Sequence, residues 1–187
     1  MSEPIEPTKQ SAKNVLAFWL AAGSERWFED DEAFDTEIRE RFAATYEDAA
    51  AGLLSAWEDW PEGALALVVV LDQFSRNMFR HSVRSFAADS LARAVALRAI
   101  SRGFDQQVAM PARAFFYLPF EHSEELADQE RAVVLMGKTG DDDLLKWAVL
   151  HMDIIRRFGR FPHRNSVLGR TTTPEEQAFL DAGGFSG

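Results

Sequence analysis

Apolar residues recur at three- and four-residue intervals along almost the whole chain, the spacing of helices with one buried face. Phe34, Ile38, Phe42 and Tyr46 form one such stripe, and Asp30, Asp31 and Glu32 ahead of it suit the positive end of a helix dipole. Val15, Leu16, Phe18, Trp19 and Leu20 predict a short helix stopped by Gly23. The run Ala64–Leu71 is β-branched enough for a buried strand. Pro61 suits a first helical turn, however, and Leu67, Leu71, Phe74 and Met78 continue at helical spacing. A helix apolar all round is a central, buried one.

Further helices are expected over Ser85–Ser101, closed by Gly103, over Pro111–Phe120, over Glu124–Met136 with Ser123 as N-cap, and over Asp141–Phe158. The last starts at Pro174, where Thr173-Pro-Glu-Glu176 combines an N-cap, a first-turn proline and a capping box. No period-two segment and no Asn-Gly hairpin competes. The pattern predicts an all-α chain of antiparallel helix pairs, stacked like tetratricopeptide repeats although their full consensus is absent. Residues 1–10 read as a mobile tail and 11–187 as a single all-helical domain.

Composition narrows the functional classes. With 47% apolar residues, 15 Phe and 5 Trp among 187 residues, the chain can bury a large core. No cysteine is present, which excludes disulfides, thiol nucleophiles and thiolate metal sites. Met1 to Asn14 carries no apolar leader, and Ala64–Leu71 is too short to span a bilayer, so the expectation is a cytoplasmic protein without membrane partners. The net charge of −10 disfavours nucleic acid as a partner.

That charge is uneven. Acids dominate Glu25–Asp48, while between Asp153 and Glu175 there is no acid and Arg156, Arg157, Arg160, Arg164 and Arg170 are all present. Docking on the protein's own acidic surface and binding of an anion are both open for this loop.

Three stretches place reactive side chains where a core is expected. In Leu71-Asp-Gln-Phe-Ser-Arg-Asn-Met-Phe-Arg80, Asp72 and Arg76 are four apart, as are Gln73 and Asn77, so each pair can meet on one helix face. In Phe115-Phe-Tyr-Leu-Pro-Phe-Glu-His-Ser-Glu124, Pro119 breaks the helix among aromatics, and Glu121 and His122 follow the break. His151 shares a helix face with Trp147, Ile154, Ile155 and Phe158, and the loop beyond Gly159 brings Arg160, His163, Arg164 and Asn165. Asp72, His122, His151 and His163 are the candidate acids and bases, since imidazole titrates near neutrality. No His-x-x-x-His spacing, glycine-rich phosphate loop or Gly-x-Ser-x-Gly elbow occurs, so neither a metal nor a cofactor is expected.

These motifs, together with Phe18-Trp-Leu20, Trp27-Phe28, Phe34-Asp35, Phe120-Glu-His-Ser-Glu124 and Phe158-Gly-Arg-Phe-Pro-His-Arg-Asn165, resemble a mainly bacterial family catalogued as domain of unknown function 924. The resemblance covers about Val15 to Leu180. It implies an all-α, tetratricopeptide-like right-handed superhelix and brings no activity with it. The family's signature stretches match Asp72, Arg76, Asn77, Glu121, His122, Arg160, His163, Arg164 and Asn165 here.

Two classes of function are therefore carried forward. One is a binding module that holds a small anionic ligand or acidic peptide through Arg76, Asn77, Glu121, His122, Arg160, His163, Arg164 and Asn165. The other is a small-molecule enzyme with a histidine as general acid or base. The expectation that accompanies both is a single site made by all three stretches.

Overall fold

Capping chemistry and prolines divide the chain into its helices, and the computed structural model describes residues 10–186. The expected tail lies outside the described residues except for Gln10, whose backbone N–H donates to Thr45 Oγ1 at 3.2 Å. The helices gather into two compact units, one formed by Met1–Arg80 with Arg84–Pro119, the other by His81–Val83 with Phe120–Gly187.

In the first unit α1 (Ala12–Ala22) is capped by Ser11, which accepts from the Asn14 N–H, and stops at Gly23 with φ 73°. The short α2 (Ser24–Trp27) leads to α3 (Glu32–Ala50), whose N-cap Asp31 accepts from the Phe34 N–H. The helix α4 (Pro61–Val68) runs through a π-helical turn, Val69–Phe74, into α5 (Ser75–Met78). Every residue from Ala64 to Leu71 is buried, as a helix apolar all round requires. Trp19, Phe34, Phe42 and Phe74 fill the space between α1, α3 and this central rod, with Phe42 and Phe74 rings 4.7 Å apart.

Two sequence expectations change here. The helix α6 spans Asp89–Ser101, not Ser85–Ser101, because a 3₁₀ turn occupies Val83–Phe86. Pro111–Phe120 is not one helix. A 3₁₀ turn, Ala112–Phe116, gives way to the single turn α7 (Leu118–Glu121), because Pro119 has no N–H to continue a ladder and is tolerated only in a first turn.

In the second unit α8 (Leu126–Gly137) and α9 (Asp142–Phe158) pack as a helical hairpin across a short turn. Asp141 caps α9 by accepting from the Asp143 and Leu144 N–H groups, and Gly159, left-handed at φ 68°, ends it. Ser123 is not the N-cap of α8. Glu125 holds that position without a side-chain bond, while Ser123 Oγ accepts from the Glu125 N–H and donates to Asp128. The helix α10 (Pro174–Asp181) starts with the expected capping box, Thr173 and Glu176 exchanging bonds. Among the described residues every regular element is helical and none is a strand. Among them, too, no helix is long and apolar enough to cross a membrane.

Candidate functional site

The first polar stretch begins in the π-helical turn, a backbone form enriched at functional positions, which holds Asp72 and Gln73, and continues through α5 with Arg76 and Asn77. Asp72 is only 1% exposed, and its Oδ2 accepts from Gln73 Nε2 at 2.6 Å. Arg76 Nη1 lies 3.2 Å from Asp72 Oδ1, the expected pair, and also donates to the Asp72 carbonyl at 2.8 Å. Both terminal nitrogens of Arg76 reach the Asp89 carboxylate, at 3.1 and 3.2 Å. Burial disfavours the Arg76 charge, but Asp72 and Asp89 outweigh it and raise the pKa above the usual arginine value.

The expected Gln73–Asn77 pair does not form. Gln73 turns to Asp72, and Asn77 Nδ2 donates to Asp35 Oδ1 at 2.7 Å, because a carboxylate is a stronger acceptor than an amide. Arg80 closes this network on Asp35 through Nε at 2.6 Å and Nη2 at 3.0 Å. These groups lock α3 to α5.

In the second unit the chain after α7 is folded over by two side chains. Gln129 Nε2 donates to the carbonyls of Glu121 and Ser123, each at 2.6 Å, and Arg164 Nη1 donates to the His122 carbonyl at 2.9 Å. This turn holds Glu121, 4% exposed, with its Oε1 3.2 Å from His151 Nδ1. The Trp147 carbonyl lies 2.8 Å from the same nitrogen. Both neighbours are acceptors, so Nδ1 carries the proton and Nε2 keeps its lone pair.

Burial pushes the His151 pKa down to about 4, partly countered by the bond to Trp147, with His122 and Arg164 adding repulsion. Burial likewise pushes His163 down to about 3, helped by Arg164 and His151. Both imidazoles are neutral at pH 7. His163 Nδ1 is buried and has no hydrogen-bond partner. The two histidines flank the same rings: Phe161 at 5.5 and 5.6 Å, and Phe185 at 4.5 and 5.1 Å.

The acid-free loop has carboxylate partners from outside it. Glu176 accepts from Arg160 Nε at 2.6 Å and Nη2 at 2.8 Å, and from Asn165 Nδ2 at 3.2 Å. The Arg160 bonds hold the Glu176 pKa down at about 2. Glu124 takes Arg170 through two bonds, at 2.6 and 2.9 Å, and accepts from the Phe161 N–H at 2.8 Å. Burial raises the Glu124 pKa, but Arg170 and that N–H more than reverse it. Arg157 pairs with Glu175 at 3.1 Å, and the Arg164 guanidinium lies 4.4 Å over the Phe161 ring.

Of the sequence-derived candidates, Asp72, Arg76 and Asn77 thus belong to the first unit, and Glu121, His122, His151, Arg160, His163, Arg164 and Asn165 to the second. Asp35, Arg80, Asp89, Glu124, Arg170 and Glu176 complete these networks; Arg80 and Glu124 end two of the polar stretches, Arg170 belongs to the acid-free loop and Asp35 to a family motif, while Asp89 and Glu176 lie outside all of them. In the sequence Glu176 is visible only as half of a capping box, and Phe185 has no periodic signal at all. Among the described residues no group of three or more His, Asp or Glu side chains could hold a metal ion.

Comparison with known proteins sets these observations in a family. Residues 15–184 match the model of DUF924, described as a bacterial protein of unknown function. A solved structure, that of the protein of unknown function ATU0120 from Agrobacterium tumefaciens, is 46% identical, with a TM-score of 0.89 over 91% of this chain and 97% of the other. No curated protein matches this chain.

Proposed function

The chain belongs to DUF924, a family that brings a fold but no activity, and we propose that it is a small-molecule binding module whose site is the His151–His163 pair of the second unit. The observation that carries this reading is the buried Nδ1 of His163, a polar atom without a protein partner beside a second neutral imidazole and an aromatic wall. A buried polar atom left unpaired costs about 1–3 kcal/mol, a cost that a ligand's hydrogen bond removes. Glu121 and the Trp147 carbonyl orient His151, which leaves its Nε2 as a fixed acceptor. Neutral imidazoles in an apolar setting favour a neutral ligand. The pairing of α8 with α9 supports a tetratricopeptide-like stack as the architecture that presents the site.

The anionic ligand first expected from the sequence is the second reading, supported by Arg164, whose charge acts on both imidazoles, and by Arg160 in the same loop, and it requires an anion to displace Glu176 from Arg160. General acid–base catalysis is a third, supported by the carboxylate on His151 Nδ1, the arrangement that orients a catalytic imidazole. At pH 7 an imidazole of pKa about 4 is a weak base and is protonated only about once in a thousand molecules, so binding is favoured over proton transfer.

The test is a screen of neutral and anionic fragments against protein labelled with ¹³C in its histidines. Neutral binders should shift the His151 and His163 signals and lose affinity in His163→Leu. Binders that move neither signal would overturn the reading. Stabilisation by phosphate or sulfate that is abolished in the Arg160→Gln, Arg164→Gln variant would favour the second.

A further inference from the structure

Phe185 has an unusual set of neighbours for a residue beyond the last helix. Its ring lies 4.5 Å from His151, 5.1 Å from His163 and 6.2 Å from Trp147, meeting all three at steep angles of 58–83°. Edge-to-face and tilted contacts of this kind are the favoured geometry for aromatic rings. The phenyl group therefore occupies a three-sided cage whose walls are two imidazoles and an indole. Among these rings Phe185 alone comes from the segment after α10, and its hydrocarbon ring offers nothing to the buried His163 Nδ1.

The backbone that delivers it is built from glycine. Gly183 has φ 78°, a conformation L side chains rarely adopt. At Gly184 a Cβ would lie 2.5 Å from the Phe179 ring, so the chain can pass over Phe179 only without one. Phe185 itself is half-buried, and Trp147, on one wall of the cage, is 49% exposed. The cage thus has a solvent side, and its occupant hangs on two residues with high conformational freedom.

We infer that Phe185 is a resident plug holding the place of a planar, neutral nitrogen heterocycle, whose ring fills the cage and whose edge nitrogen pairs with His163 Nδ1. This rests on the proposed binding role of the histidine pair and specifies the ligand class. A hydrocarbon fills the cage as well as a heterocycle does; only the heterocycle also satisfies the orphan nitrogen. Arg164, whose guanidinium lies against Phe161, disfavours a cationic occupant.

The experiment uses benzimidazole and its carbocyclic analogue indene as probes at pH 7.5, titrated into the parent protein, Phe185→Ala and Phe185→Leu. Histidine ¹³C shifts read binding, and carbethoxylation by diethyl pyrocarbonate reads access to the imidazoles. Phe185→Ala should modify at least tenfold faster at His163 and bind benzimidazole at least tenfold more tightly than the parent, whereas Phe185→Leu, which keeps the packing, should stay close to it. Benzimidazole should beat indene in Phe185→Ala, and adding His163→Leu should erase that preference.

If Phe185→Ala leaves carbethoxylation unchanged, Phe185 is not a plug, and the binding role of the histidines stands apart from it. If the imidazoles open but neither probe binds, both the ligand class and the binding reading fail. If indene binds as well as benzimidazole, the cage is an apolar pocket and the heterocycle assignment is overturned.

Discussion

Lowering the pH from 7 to 5 should cost this protein a large part of its stability, and the loss should be traceable to two histidines. His151 has its pKa depressed from 6.5 to about 4 and His163 to about 3, in both cases chiefly by burial. Both are neutral when folded and accept a proton when unfolded. Between pH 6.5 and about 4 the unfolded chain therefore binds more protons, and stability falls as pH falls. At pH 5 the linkage relation gives about 2 kcal/mol for each histidine, so on the order of 4 kcal/mol if the two act independently. Total stabilities of domains run about 5–15 kcal/mol, so such a loss is easily measured.

The depressed carboxylates do not confuse the result at this pH. Glu176, held down by Arg160, and Glu124 contribute stability that is fully present above 4.5 and is lost only as pH falls further. The assay is urea unfolding followed by circular dichroism at pH 7 and pH 5 at constant ionic strength. The double variant His151→Gln, His163→Gln serves as control and should retain less than about 1 kcal/mol of the pH dependence. A parent protein equally stable at both pH values, or histidine signals titrating near 6.5, would refute the reasoning.

Other perturbations test the networks. Asp35→Ala strands the Asn77 amide and deprives Arg80 of two bonds, so urea unfolding should show a loss of about 3–5 kcal/mol, and Asp35→Asn a smaller one. His151→Ala should cost about 1–4 kcal/mol in the same assay, with His151→Gln recovering most of it, if the imidazole is chiefly a core hydrogen-bonder. Gly184→Ala places a methyl against the Phe179 ring and should lower the melting temperature by calorimetry; an unchanged melt would mean the tail can shift freely. Glu176→Gln removes the charge that neutralises Arg160, and a thermal-shift titration with sulfate should then stabilise the variant more than the parent.

The helices are legible in the sequence because their signals are local. Stripes such as Phe34, Ile38, Phe42 and Tyr46, the capping box at Thr173 and the stop at Gly159 each need only neighbouring residues. The π-helical turn leaves no such trace: Ala64–Leu71 reads the same whether the backbone repeats every four residues or every five. Side-chain partnerships are legible only at short range. Asp72 and Arg76 meet as their spacing suggests, but Asn77 finds Asp35 forty-two residues away, and Arg170 finds Glu124 across forty-six. Such pairs are set by which helices pack together, and a charge count along one loop cannot foresee them. The arginines between Asp153 and Glu175 illustrate this, since their partners Glu124, Glu175 and Glu176 all lie beyond the acid-free interval.

The widened turn at Val69–Phe74 holds one residue more than an ordinary helix needs to cover the same arc. Removing one residue there would restore a four-residue ladder and leave the helix beyond it close to its present phase. A residue removed from the regular turns of α4 would instead rotate everything after it by about 100° about the helix axis. Arg76 would then swing away from Asp89, and Asn77 and Arg80 from Asp35, so that three donors lose their acceptors together. The irregular turn is thus the stretch of this rod that can absorb a change of length. A single-codon deletion should be less damaging there than in Pro61–Val68.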